Sequence, residues 1–169
     1  MRWDLQIATA AGRHKVSDQV VTAIVTVESS GNQWAYNPEP HYRWFWDVRR
    51  NQPFRALLPG ESDKERPPAD FPCLAGDPDQ EWWAQQASWG LMQTMGAVAR
   101  EVGFGGSYLT ELCDPVVSLE HGCKFLRRLL DRHSNLDAAL AAWNTGSPNH
   151  PPGSAADDYL RKIHARMGQ

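Results

Sequence analysis

The chain has 169 residues, 41% of them apolar and 22% charged, with a net charge of −3 and a pI near 6.0. That length fits one domain with a real core, and the mild acidity excludes broad electrostatic binding to nucleic acid or anionic lipid. No run approaches the roughly 20 apolar residues of a membrane span, so membrane insertion is not expected.

In chain order, residues 3–13 pattern as a short amphipathic helix built on Trp3, Ile7 and Ala10. Ser17 is a helix N-cap, and the following run, VVTAIVTVESSGN, stays helical to about Ser29, where Gly31 reads as the stop. Residues 95–102 form another short helix ended by Gly103. Asp114-Pro115 opens a longer one, with Val116, Leu119, Cys123, Leu126 and Leu130 on its apolar side. LDAALAAWN ends at Gly146, and AADDYLRKIHARM runs nearly to the C-terminus. Strand signals are sparse, which makes the expected fold mainly α.

The middle of the chain is different. From Asn37 to about Gln80 proline, charge and aromatics crowd together, and the proline spacing forbids a long helix. HYRWFW is compatible with a short strand. The aromatics speak against a disordered linker, so residues 37–86 are expected to be an ordered insertion folded onto the helical body. Cys73, Cys113 and Cys123 give neither a disulfide framework nor a zinc signature, and no metal or cofactor is expected.

Glu28 draws attention because it shares a helical face with Val20, Val21 and Ile24 and meets the negative end of the helix dipole. Both effects favour a carboxyl that keeps its proton, as a general acid must near neutral pH. The alternative is a frayed helix end with the carboxylate in water. Downstream, SWGLMQ places Ser88, Gly90, Met92 and Gln93 ahead of a helix, and AAWNTG ends another with Trp143 and Asn144. Singly, each segment also reads as helix punctuation and core.

In order, these segments resemble the soluble lytic transglycosylases, which share a fold with goose-type lysozyme. The Glu-Ser pair followed by Asn is Glu28, Ser29 and Asn32, with Ala35 also in place. Gly-Leu-Met-Gln is Gly90 to Gln93, preceded by Ser88. Ala-Tyr-Asn-x-Gly appears as Ala142 to Gly146, with Trp143 in place of tyrosine, and the late tyrosine is Tyr159. The resemblance covers roughly residues 17–36 and 84–166. It implies a single lysozyme-like domain over residues 1–169, interrupted by the insertion.

The implied substrate is the peptidoglycan glycan strand, cleaved between N-acetylmuramic acid and N-acetylglucosamine. By the same resemblance Glu28 is the acid and then the base, and a 1,6-anhydro ring closes on the muramic residue. Ser88, Met92, Gln93, Trp143, Asn144 and Tyr159 are its implied substrate-side partners. Core packing competes for Met92, and helix anchoring for Tyr159. Glu39, in PEPHY, is the candidate second carboxylate for a hydrolytic muramidase, and an inactive wall-binding module of a phage particle is the rival from another class. His41, Tyr42, Trp44, Trp46, Trp82 and Trp83 either extend the sugar groove or build the insertion's own core. The first residues, MRWDLQIATAAGRHK, lack a signal peptide's apolar core. A chain made in the cytoplasm would then reach the wall through a phage particle, a lysis system or a secretion apparatus, with tail or virion proteins as partners.

Overall fold

The computed structural model describes residues 2–61, 65–133 and 135–168. Seven α-helices dominate them: α1 (Asp4–His14), α2 (Asp18–Ser29), α3 (Pro78–Gln85), α4 (Gly96–Glu101), α5 (Pro115–Arg132), α6 (Leu136–Thr145) and α7 (Ala155–Met167). A 3-10 turn, Leu109–Cys113, leads into α5.

The caps explain the boundaries. The Ser17 hydroxyl accepts from Val20 N at 3.4 Å to start α2, and Ser30 ends it in the left-handed region at φ 53°. Asp114 accepts from the N–H groups of Val116 and Val117 ahead of Pro115, and Asn135 accepts from Ala138 N at 2.8 Å to open α6. Gly146, at φ 74°, closes α6. These satisfy amides and carbonyls that a helix end leaves unpaired.

The main core lies between α1, α2, α5, α6 and α7. Ile7, Val21, Ile24, Leu119, Cys123, Leu126, Leu140 and Ile163 are all essentially sealed from water there. Val116 does not join them. It is 59% exposed, because it sits in the first turn of α5 while the apolar stripe begins at Leu119.

Two small sheets complete the fold. Strands β1 (Tyr36–Pro38), β4 (Ala87–Trp89) and β5 (Thr94–Met95) pair antiparallel in the order β1-β4-β5, with Tyr36 opposite Trp89 and Ser88 opposite Met95. Strands β2 (Trp46–Asp47) and β3 (Gln52–Pro53) form a separate hairpin. Of HYRWFW only Trp46 is in a strand. The segment that pairs is the polar YNP, chosen by its neighbour β4 rather than by its own pattern.

The insertion carries its own core. Phe45, Phe71 and Trp82 pack together, Phe45 and Trp82 stacked at 4.2 Å and Phe71 edge-on to both. It also carries helix α3, a short one of eight residues that the proline-rich composition of this stretch does not announce. Pro78 is the first helical residue, where its missing N–H costs nothing, and the Asp77 carboxylate caps it.

A fully buried ion pair ties this end of the insertion to α4. Arg100 Nε and Nη2 donate to the two oxygens of Glu81 at 2.9 and 2.7 Å, and Nη1 donates to the carbonyls of Phe104 and Gly106. Gln85 donates to Glu81 Oε1 as well. Every polar atom of the pair therefore has a defined use, the condition under which burying two charges is tolerable.

Candidate active site

Glu28 occupies the last turn of α2, half-buried, with its carboxyl aimed at α6 and α7. Trp143 Nε1, from the end of α6, donates to Glu28 Oε1 at 3.1 Å. The Tyr159 hydroxyl, from α7, donates to the same oxygen at 2.8 Å. Residues 115 and 131 positions away thus converge on one atom because α7 packs against both α2 and α6.

This geometry sorts the proton. Oε1 already accepts two hydrogen bonds, whereas no described residue bonds Oε2, which is not a sealed, partnerless atom either. A proton on the carboxyl therefore belongs on Oε2, the oxygen left open to a ligand. Burial pushes the Glu28 carboxyl above its ordinary value of 4.5, while the Tyr159 and Trp143 hydrogen bonds pull it part of the way back. Among the described residues no charged neighbour contributes to that balance. The Tyr159 hydroxyl is itself held in the protonated form, by burial first and by the adjacent carboxylate second.

The Gly90–Gln93 turn holds the end of α2 in place. The Ser29 hydroxyl bonds to Leu91 O at 2.8 Å, and Ala35 O accepts from Gly90 N at 2.9 Å and from Gln93 Nε2 at 3.0 Å. Gly90 has φ 69°, and a Cβ there would lie 2.1 Å from Leu112 O and 2.8 Å from the Ser118 hydroxyl. Only glycine fits such a position.

Of the residues singled out in the sequence, Glu28, Trp143 and Tyr159 come together in direct contact. Asn144 is exposed beside Trp143, and its side chain is free of bonds among the described residues. Gln93 and Ser88 are turned to the scaffold. The Gln93 amide donates to Ala35 O and Gly90 O, and its Oε1 accepts from the Ser88 hydroxyl at 3.1 Å. Met92 is fully buried, with its sulfur close to where a Cβ on Gly122 would stand, and of its two readings, subsite and core, this placement is the core one. Glu39 is exposed just beyond β1, bonded to Asn37 Nδ2 at 2.8 Å and to none of the Glu28 group. Among the aromatics of the insertion, Trp82 is core, whereas Trp44 and Trp83 are 75% and 45% exposed.

The arrangement is an acid seated at a helix end, held by two neutral donors, with the loop that follows it stitched to a glycine turn. Residues 6–157 match the family model of the transglycosylase SLT domain. The chain belongs to the SLT transglycosylase family. The match spans both flanks of the insertion and takes in Glu28, the Gly90–Gln93 turn and Trp143. No solved structure matches the chain. SLT transglycosylase domains cleave glycosidic bonds of peptidoglycan, and that is the reaction class of this chain. The SLT frame also makes sense of Trp143. Indole only donates, so it can brace Glu28 but cannot accept a proton from it. Sequence reasoning missed the structural duty of Ser29 and Ala35, which lies in a hydroxyl and a backbone carbonyl that no side-chain pattern reveals.

Proposed function

We propose that this SLT domain is a lytic transglycosylase working through Glu28 alone. The observation that carries the reading is a single carboxyl whose Oε1 is saturated by Trp143 and Tyr159 and whose shift owes nothing to a second charge. Oε2–H protonates the glycosidic oxygen between N-acetylmuramic acid and N-acetylglucosamine, and the C1–O4 bond breaks as the leaving hydroxyl takes that proton. The muramic acetamido oxygen shields the developing cation at C1. Glu28, now a carboxylate stabilised by both donors, takes the proton of the muramic C6 hydroxyl, whose oxygen bonds to C1. The ring closes as a 1,6-anhydro product, no water is consumed, and Glu28 is protonated again. A two-carboxylate glycosidase would instead need a partner within about 10 Å of the acid to act as nucleophile or to position water. Glu39, the sequence's candidate for that post, is engaged with Asn37 in solvent.

Digestion of purified sacculi followed by mass spectrometry of the muropeptides tests the proposal. Anhydromuramic ends are expected. Reducing muramic ends would make the enzyme a hydrolase, and intact sacculi would sink both.

A further inference from the structure

The loop between Glu28 and β1 holds a feature that the acid chemistry does not use. Trp34 is 69% exposed. Of the three exposed tryptophans, Trp44 leans edge-on against Tyr42 at 5.6 Å, and Trp83 donates its indole N–H to Glu65 O at 3.1 Å. The Trp34 ring has no aromatic partner and no acceptor for its indole N–H among the described residues, and it lies outside the buried core. Tyr36, also exposed, lies against Trp89 at 4.7 Å.

The backbone beneath this ring is fixed. Trp34 N donates to Asn32 Oδ1 at 3.1 Å, and Ala35 N to Asn32 O at 3.2 Å. Ala35 O is then clamped from the other side by Gly90 N and Gln93 Nε2. The same loop is anchored at its start by Ser29 on Leu91 O and by Trp3 Nε1, which donates to Gly31 O at 2.9 Å. A large apolar ring is thus kept in water by a rigid loop six residues from the acid. Such a ring loses little freedom when a ligand covers it.

We propose that Trp34 is a sugar platform, a subsite that stacks an N-acetylhexosamine ring of the same glycan strand that Glu28 cleaves. A pyranose ring has an apolar C–H face and an equatorial rim of hydroxyl and acetamido groups. An open indole face with a free N–H at its edge matches both. Because the loop is continuous with the Glu28 helix and the Gly90 turn, the strand that reaches the acid is the occupant at hand. The assignment rests on the glycan-cleaving reading above.

The test measures initial rates on soluble glycan strands released from sacculi. Trp34→Ala is expected to raise KM about tenfold with kcat within about twofold, and Trp34→Phe to recover most of that loss. An unchanged KM, or a fall in kcat alone, would overturn the subsite. In parallel, the Trp34 indole N–H resonance of Glu28→Gln is followed by NMR during titration with an N-acetylglucosamine tetramer. It should shift with saturation, and an unmoved resonance counts against the platform even where Trp34→Ala folds poorly. Glu28→Gln separates the two readings. If it cleaves like wild type, the acid assignment fails; if it is dead while Trp34→Ala is normal, only the platform fails.

Discussion

At the scale of single residues, the decisive feature is that Trp143 and Tyr159 donate to one oxygen of Glu28 and leave the other free. Glu28→Gln keeps the shape and removes the proton, so turnover should fall by at least ~100-fold, measured on sacculi. The same variant should be more stable than wild type near neutral pH. The sign follows from the raised folded pKa. Ionised Glu28 is disfavoured in the fold, so its cost is absent below the ordinary value of 4.5 and grows as pH rises through the folded value. Melting temperatures should therefore coincide in acid and diverge at neutral pH; equal curves at both would show the carboxyl to be unstrained. Tyr159→Phe and Trp143→Phe each delete a bond that lowers the Glu28 pKa, the Tyr159 bond being the larger. Both should carry the alkaline limb of the pH–rate profile to higher pH, Tyr159→Phe further, while slowing turnover. Trp143→Tyr restores a donor and should retain substantial activity.

At the scale of elements, the Gly90–Gln93 turn is a fastener as much as a wall of the site. It joins β4 to β5, pins Ala35 and receives Ser29, while Met92 plugs the core against Gly122. Gly90→Ala would force a Cβ into Leu112 O at a positive φ, so a loss of at least ~2 kcal/mol is expected in urea unfolding. Wild-type stability would mean that the turn relaxes. Between α3 and α4, Arg100→Met should cost roughly 3–5 kcal/mol by stranding the Glu81 carboxylate in the core, and Glu81→Met in the same chain should return much of it. A double-mutant cycle reads that coupling. Neither residue stood out in the sequence, since Glu81 and Arg100 are 19 positions apart and nothing local marks them as partners.

At the scale of the molecule, the insertion is a small structured unit with an aromatic core and, beside it, an ionic clasp whose Arg55 lies over Phe54. Arg55 holds Glu61 and Asp70 together, with Glu61 Oε2 at 2.7 Å, and this contact depresses the Glu61 carboxyl to about 2 and lowers Asp70 as well. With folded values below the unfolded ones, the clasp contributes above the ordinary carboxylate range and is lost as pH falls towards 2. Hydrogen exchange of residues 54–61 should accelerate on acidification before the helical core does, and Arg55→Ala should abolish that difference. The sequence by itself determined the helices on both flanks of the insertion, the Ser17 and Asp114 starts and the order of the family motifs, but not α3. Those rest on interactions within a few residues, namely apolar period, Ser and Asp caps, and glycine stops. The apolar face of Glu28 and its place at the helix end are local too, but they equally allow a frayed end, and it is the order of the downstream motifs that singles the residue out. Only the tertiary structure decided which carboxyl oxygen stays free, that Met92 faces inward, that Gln93 and Ser88 serve the loop, and that YNP pairs with β4 while HYRWFW contributes only Trp46 to a strand. Each of these depends on contacts between residues tens of positions apart, whose geometry exists only once α2, α6, α7 and the small sheet have packed.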